Sequence, residues 1–191
     1  DGKIVAVGRC INSSNTINSA VAQYLTNGMP DNGFSGDGRT ILSYDGSSNE
    51  ANTVAVQDDG KFVVGGYSRS SLHPLFALAR FLPDGWLDTT FSTDGKVVTE
   101  WSVIDTDIIR GVAIWPDGKI IAAGKKGHEC GLIKYNANGT LDESFGDHGR
   151  LVFYGGVGGG YSAYAVDVAL TSDGKIIVTA MDNDNGVTNI L

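Results

Sequence analysis

Cysteine, proline and basic residues are all scarce in this chain of 191 residues. It holds 2 cysteines and 4 prolines, and 14 lysines and arginines face 22 aspartates and glutamates, for a formal net charge of -8. Binding to a nucleic-acid duplex needs a stripe of basic residues that neutralises phosphates, so we expect no nucleic-acid partner. The cysteines, Cys10 and Cys130, are expected to be free thiols, with a disulfide between them as the alternative.

Long apolar runs are also missing. No stretch approaches the roughly 20 apolar residues that a helix needs to cross a bilayer, so we predict no membrane span. The sequence shows no signal peptide and begins at Asp1, inside a motif rather than at a methionine, so we expect processed or truncated material. Hydrophobic residues still make up 41% of the chain, which predicts a buried core and argues against a disordered tail.

What the chain does have is an internal repeat of roughly 57 residues, at a length typical of repeat architectures. The triplet Asp-Gly-Lys followed by a short apolar run recurs at this spacing, beginning at Asp1, Asp59, Asp117 and Asp173, while a fifth copy at Asp94 belongs to the second block. A second block in the same phase contains an aspartate, three residues later a phenylalanine, and then in most copies Asp-Gly; the recurring positions are Asp31, Asp88 and Asp142, and Phe34, Phe91 and Phe145. A third apolar block precedes each later Asp-Gly-Lys.

Each repeat contains four apolar runs that are too short for helices and rich in valine and isoleucine. In the third repeat we predict strand a at residues 112–114, strand b at 119–123, strand c at 131–135 and strand d at 149–153. The Asp-Gly pairs supply the positive φ angles that two-residue hairpin turns require. One repeat therefore predicts a four-stranded antiparallel sheet, with both faces needing cover. Stacking such sheets around an axis gives a β-propeller, and a linear β-solenoid is the alternative.

The predicted fold class is thus all-β, a β-propeller of four-stranded antiparallel blades, with about three and a half blades present. We assign residues 1–191 to one partial propeller, or a fragment of a larger one, with repeats at approximately 1–53, 54–111, 112–167 and an incomplete 168–191. Closed propellers typically have four to eight blades. We expect the remaining blades to come from a longer form of the same chain, or alternatively from another subunit.

Two segments carry a resemblance to a known family. Residues 76–81, Asp84-Gly85, residues 87–91 and Asp94-Gly95, together with residues 112–124, resemble the delta-60 repeat of bacterial β-propeller proteins. The resemblance covers essentially the whole chain, although Met29-Pro30 departs from it where a Leu-Asp pair is usual. It implies a propeller from an exported or cell-surface bacterial protein, so a secreted or surface location is expected. It implies no general catalytic residues.

The turns of a propeller fall on two faces. The a–b and c–d turns share one face, where the recurring aspartates are expected to accept local backbone hydrogen bonds as in Asx turns and the recurring phenylalanines to fill the gaps between blades. The b–c and d–a loops share the other face and vary between repeats, and variable loops on a rigid scaffold are common binding sites. The candidate binding residues on this face are Arg69, His73, Asp105, Asp107, Lys126, His128, Glu129 and Tyr161.

These residues admit more than one chemistry. The two histidines near Asp105, Asp107 and Glu129 could bind a metal or transfer protons, but no ligand spacing is recognisable and we interpret them as solvated loop residues. Tyr161 could stack on a sugar ring. We predict no cofactor, metal site or catalytic residue. Our first hypothesis is a non-catalytic module that binds a protein or glycan; the alternatives are a hydrolase or lyase with a site at the propeller axis, and an architectural assembly subunit.

Overall fold

The computed structural model describes residues 2–44, 48–69, 73–101, 105–153, 163–184 and 187–190, of which 182–184 and 187–190 are described by their backbone alone. These residues form strands and turns, and none of the described segments is a helix. The described part of the chain accordingly offers no helix that could span a membrane.

The strands form four antiparallel sheets in chain order, which we call blades 1 to 4. Blade 1 has the order β1 (Ile4–Ile11), β2 (Ile17–Tyr24) and β3 (Arg39–Leu42). Blade 2 comprises β4 (Asn49–Val56), β5 (Phe62–Ser68), β6 (Leu75–Phe81) and β7 (Lys96–Thr99). Blade 3 comprises β8 (Asp107–Ile114), β9 (Ile120–Lys126), β10 (Glu129–Tyr135) and β11 (Arg150–Phe153). Blade 4 comprises β12 (Ala163–Leu170), β13 (Ile176–Asp184) and β14 (Val187–Ile190).

The structure differs from two predictions about the turns. The strands predicted for the third repeat leave residues 124–130 between strands b and c, whereas in blade 3 Lys126 pairs with Glu129 and only Gly127 and His128 form the turn. Polar residues at the ends of paired strands look like loop residues in a sequence, which explains the error. The Asp-Gly turns are wider than two residues, because the backbone N–H of Gln57 bonds to the carbonyl of Lys61 and Gly60 takes the positive φ of 83°.

Strand a carries a β-bulge in each blade where it is described. The register shifts between Ala51 and Thr53, between Ile109 and Gly111, and between Ala165 and Asp167. A bulge sharpens the local twist of a strand. The extra residue Asn52 also joins two blades, because its Nδ2 donates to the carbonyl oxygen of Ile109 at 2.9 Å. The bulge therefore recurs as part of the blade rather than as a local defect.

Three apolar cores lie between neighbouring blades rather than within one sheet. Phe62 and Val64 of blade 2 face blade 1, whereas Val63 on the next position faces blade 3. The third core lies between blades 3 and 4 and includes Ile121 and Val168. The a strands of blades 2, 3 and 4 contact one another in succession, β4 with β8 and β8 with β12. These contacts place the a strands on the inner side of the arc that the blades form. Both faces of an internal blade are thus buried against a neighbour.

The face with the c–d turns is held by a recurring aspartate, as predicted. Oδ1 of Asp31, Asp88 and Asp142 accepts a hydrogen bond from the backbone N–H two residues later, at 3.0 to 3.2 Å. The second carboxylate oxygen pairs with the lysine of the preceding Asp-Gly-Lys, for example Lys61 Nζ with Asp88 Oδ2 at 3.0 Å. The recurrence of this aspartate is therefore explained by its structural role in the turn.

The recurring phenylalanine joins each blade to the next. Phe34 and Phe91 are fully buried, and Phe145 is half-buried. The residue after each of the first two donates its backbone N–H to the next blade, Ser35 to Asp84 at 2.8 Å and Ser92 to Asn138 at 2.7 Å. The prediction that these rings fill the gaps between blades is confirmed for Phe34 and Phe91.

Candidate functional site

The b–c turns and d–a connections meet on the face opposite the aspartate turns. Two turn carbonyls hold the starts of the next a strands: Pro74 accepts from the N–H of Asp107, and His128 accepts from the N–H of Ala163, both at 2.9 Å. Backbone bonding thus sets the position of each loop relative to the following blade. The side chains of these loops are left to differ between blades.

In blade 3 this face holds a lysine among carboxylates, which we call the acidic cluster: Asp105, Asp107, Lys126 and Glu129. Lys126 Nζ lies 3.2 Å from Asp105 Oδ2 and 3.8 Å from Glu129 Oε2. The side chain of Asp107 is inaccessible to solvent, and its charge also acts on Lys126. The cluster carries three negative charges against one positive charge.

Gly127 brings the carboxylate of Asp105 close to the turn. A β-carbon at Gly127 would lie 2.9 Å from Cγ of Asp105, and this glycine has a φ of 60°. Its N–H donates to the carbonyl of Thr106 at 3.1 Å. A side chain at this position would therefore both clash with Asp105 and strain the backbone.

The carboxylates keep Lys126 charged. Burial alone would lower the pKa of its ammonium group, but the hydrogen bond and charge of Asp105, with the charges of Glu129 and Asp107, outweigh burial and raise the pKa above its usual value. The raised pKa keeps Lys126 in its charged form, which pairs with the neighbouring carboxylates.

A second group, the basic cluster, spans blades 1 and 2: Arg9, Glu50, Tyr67 and Arg69. Arg9 donates to Glu50 Oε2 at 3.2 Å, and the hydroxyl of Tyr67 donates to the same oxygen at 3.4 Å. Partial burial, followed by the nearby charge of Glu50, raises the pKa of Tyr67. Arg69 is exposed and its backbone N–H bonds to the carbonyl of Ser48 at 2.8 Å. Two positive charges against one negative give this cluster the opposite sign to the acidic cluster.

Four of the eight predicted residues come together in the structure, and they are the four members of the acidic cluster. Asp105, Asp107, Lys126 and Glu129 adjoin one another, with Asp107, Lys126 and Glu129 in strands rather than in loops. His128 is exposed in the turn between Lys126 and Glu129, and His73 precedes the Pro74 that bonds to Asp107. Arg69 belongs to the basic cluster instead. Tyr161 lies outside the described residues.

The acidic residues, histidines and cysteines of the described segments do not come together as a set of metal ligands. Within residues 2–44, 48–69, 73–101, 105–153 and 163–181, no set of three histidine, cysteine, aspartate or glutamate side chains is arranged to hold a metal ion. Cys10 is partly buried and Cys130 is buried, and the two do not form a disulfide. In the acidic cluster a lysine occupies the position between the carboxylates that a cation would otherwise take.

Sequence reasoning selected Arg69 but missed the other members of the basic cluster, Arg9, Glu50 and Tyr67. One position of the repeat, at the end of strand b, holds Arg9, Tyr67 and Lys125 in successive blades. The sequence alone therefore shows that the chemistry of this position varies between blades. The pairing of Arg9 with Glu50 could not be predicted from the sequence, because the two residues belong to different blades. Their contact depends on how one sheet is rotated against the next.

Stacked antiparallel sheets of three or four described strands, cores between the sheets and inner a strands define the chain as a β-propeller protein. A model of the family described as "Domain of unknown function (DUF5122) beta-propeller" matches residues 1–34, 57–91 and 116–145, together about half of the chain. The chain belongs to this β-propeller family. No curated protein matches the sequence.

One solved structure of similar shape is that of XC5397 from Xanthomonas campestris, described as a gluconolactonase important in glucose secondary metabolic pathways. It shares 12% identity, and the alignment covers 91% of this chain and 67% of that one with a TM-score of 0.31. At this identity and TM-score, the likeness says nothing about a reaction or a ligand of the present chain.

Proposed function

We propose that this chain is a non-catalytic binding module of the delta-60 repeat type, which recognises a protein partner through the b–c and d–a loops. One contrast carries the proposal. On the face with the a–b and c–d turns, each recurring aspartate accepts a hydrogen bond from its own turn and forms an ion pair with a neighbouring lysine. On the loop face, the charged groups differ in sign from one blade to the next and include exposed side chains such as Arg9 and Arg69.

The charges favour a protein over a glycan as the partner. A basic cluster on blades 1 and 2 and an acidic cluster on blade 3 form a surface with two signs of charge, which complements a polypeptide carrying both signs. The argument for a glycan depended on Tyr161, outside the described residues. A glycan therefore stays the second candidate, to be tested alongside.

A hydrolase or lyase at the axis is the weaker alternative. That hypothesis needs Asp105 and Asp107 to reach a substrate, whereas Asp107 is inaccessible and Asp105 is engaged by Lys126. The resemblance to the delta-60 repeat, with the exported or surface location it implies, supports an extracellular binding role. A secreted location is part of the proposal and is tested by finding the protein outside the cell membrane.

Charge reversal on each face tests the proposed function. The double variant Arg9→Glu with Arg69→Glu reverses both positive charges of the basic cluster, and Arg39→Glu reverses an arginine on the opposite face that pairs with Asp37. We expect the double variant to lose a protein captured from the bacterial surface fraction, while Arg39→Glu retains it. Equal capture by both variants, or binding on a glycan array that depends on Tyr161 alone, would contradict the proposal.

A further inference from the structure

The c–d connection of blade 2 carries a tryptophan that the core does not use. Trp86 is 66% exposed, yet its backbone is fixed: its N–H donates to Asp84 Oδ1 at 3.3 Å, and its carbonyl accepts from the N–H of Leu82 at 2.8 Å. Within the described segments, its indole ring takes part in no ring stacking or cation–π contact. A large aromatic side chain held in place at the surface is typical of a recognition site.

The neighbouring blades hold no aromatic residue at this position. Met29 follows the turn glycine in blade 1, and Thr140 follows it in blade 3. Thr140 takes part in its own turn, since its hydroxyl donates to Asn138 Oδ1 at 2.8 Å. Formation of the turn therefore does not require a tryptophan, and Trp86 is particular to blade 2.

A groove of about 590 Å³ lies beside Trp86, between the c–d connection of blade 2 and strand β3 of blade 1. This volume is within the range of small-molecule sites. No described lysine, arginine or histidine lines the groove. Its polar lining residues carry hydroxyl or carboxylate groups: Thr40, Ser43, Thr89, Thr93 and Asp94.

Asp94 is a fixed acceptor beside this groove. Its Oδ1 accepts the backbone N–H of Lys96 at 3.0 Å, and its Oδ2 lies 3.3 Å from Lys96 Nζ. A carboxylate has about four acceptor positions. Because the side chain of Asp94 is 55% exposed, the remaining positions are open to a ligand.

The corresponding groove between blades 2 and 3 has a different chemistry. Asp147 and His148 line it at the positions of Thr93 and Asp94, together with Arg150. Asp147 and His148 also pair with each other at 2.7 Å. Charged groups of both signs therefore line that groove, whereas the groove beside Trp86 combines an apolar ring with hydroxyl groups and one carboxylate.

We propose that the groove beside Trp86 binds a neutral glycan, with a hexose ring stacked on the indole and its hydroxyl groups bonded to Asp94 and the neighbouring threonines. A hexose ring has an apolar face of C–H groups and a rim of hydroxyl donors and acceptors. The groove presents a matching group to each, an indole face and a set of hydroxyl and carboxylate oxygens.

The same lining disfavours other ligands. Phosphates and acidic sugars are bound by cationic side chains, which the described lining does not supply. A lipid chain would bury the carboxylate of Asp94 and the lining hydroxyl groups against apolar atoms, which costs free energy. The site lies on the face with the a–b and c–d turns, so it is separate from the acidic and basic clusters and does not depend on the proposed function.

A glycan screen followed by substitution tests the proposal. The purified chain is applied to an array of neutral oligosaccharides that includes cellopentaose, maltopentaose and chitopentaose, and the affinity of the bound ones is measured by calorimetric titration. We expect Trp86→Ala to weaken binding by about tenfold or more, because the stacking surface is lost, and Trp86→Phe to restore part of the affinity. Asp94→Asn should weaken binding by about tenfold, because a charged acceptor is lost.

Two variants serve as controls. Met29→Ala removes an exposed side chain at the same position of blade 1 and should leave the glycan affinity unchanged. The double variant Arg9→Glu with Arg69→Glu should also keep it, so that loss of the glycan and loss of a loop-face partner are told apart. Because Trp86 is exposed, Trp86→Ala should unfold at the same temperature as wild type.

Three outcomes would overturn the proposal. In the first, wild type binds none of the neutral oligosaccharides at millimolar concentration. In the second, a glycan binds equally well to wild type and Trp86→Ala, which would place its site elsewhere. In the third, Trp86→Ala loses a protein partner while no glycan binds, which would show that the groove docks a polypeptide.

Discussion

The ring of Phe91 occupies the space that a side chain at Gly139 would need, with its Cε2 atom 3.0 Å from the β-carbon position. Gly139 also has a φ of 88°, a conformation that costs any other residue about 1 kcal/mol or more. Gly28 shares the conformation, with a φ of 82°, but has no described neighbour within 4 Å of its β-carbon position. Comparing substitutions at the two glycines therefore separates the cost of backbone strain from the cost of disturbing the contact between blades.

Alanine at these two glycines should have unequal effects. We expect Gly28→Ala to lower the free energy of unfolding by about 1 kcal/mol, from the backbone alone. Gly139→Ala should cost at least about 1 kcal/mol more, because the methyl group displaces Phe91 from a packed interface. Urea unfolding of both variants measures the difference, and equal losses would contradict the role assigned to Phe91.

A buried polar pair between blades 2 and 3 has an apolar equivalent between blades 1 and 2. The hydroxyl groups of Thr99 and Tyr135 lie 2.8 Å apart, at the positions that Leu42 and Phe81 occupy one repeat earlier. We expect Thr99→Leu and Tyr135→Phe each to lower the free energy of unfolding by about 1 kcal/mol, since each leaves a buried hydroxyl or a poor fit. The double variant reproduces the other interface and should recover most of the loss. A double-mutant cycle measured by denaturant unfolding checks this, and strictly additive losses would contradict it.

Asp88 makes stability depend on acid. Burial disfavours its ionised form, but hydrogen bonds from Thr90 and Lys61 and the charge of Arg80 outweigh burial and hold the pKa of Asp88 well below its usual range. A carboxyl whose pKa is depressed on folding stabilises the protein above the unfolded pKa of about 4, and loses that contribution as the pH falls below it. We expect Asp88→Ala to cost about 3 kcal/mol at pH 7, because the buried Arg80 loses the carboxylate that balances its charge, and less towards pH 2.

Unfolding midpoints of Asp88→Ala and wild type from pH 7 to pH 2 measure this effect. Asp94→Ala is the control, since its carboxylate also accepts a backbone N–H, from Lys96, but its side chain is 55% exposed. The control should cost less at every pH. A constant gap between Asp88→Ala and wild type over the whole pH range would refute the assignment of the low pKa.

Lys126 has the opposite sign of pH dependence. Because its pKa is raised on folding, its contribution is present below the unfolded pKa of about 10.4 and is lost as the pH rises through the folded value. We expect Lys126→Gln to lower the free energy of unfolding by about 1 kcal/mol at pH 7, and the gap to wild type to close above about pH 10.5. Thermal unfolding at pH 7, 9 and 11 measures it, and a gap that widens at high pH would show that the carboxylates do not stabilise the ammonium form.

Most of the fold could be predicted from the repeat, because short-range chemistry controls it. Asp88 and Phe91 lie three residues apart and recur in phase, so a turn and an inter-blade contact follow from their spacing. Strand ends were less predictable. Lys126 and Glu129 are polar, yet they pair across a two-residue turn, and polarity alone does not distinguish a strand end from a loop.

The candidate site was only partly predictable for a different reason. Asp105 and Lys126 belong to one blade and were both expected on the loop face. Arg9 and Glu50 meet across two blades, and their contact depends on the rotation between sheets, which the extra residue in each a strand helps to set. No pattern in the sequence reports that rotation.

The binding affinity of the loop face for its captured partner as a function of salt is the measurement that bears most directly on the proposed role. Recognition by the basic and acidic clusters predicts that affinity falls as sodium chloride is raised, because partly exposed charges are screened. The double variant Arg9→Glu with Arg69→Glu should bind weakly at all salt concentrations, and Arg39→Glu should follow the wild-type curve. Wild-type affinity and salt dependence in the double variant would show that the partner binds elsewhere on the molecule.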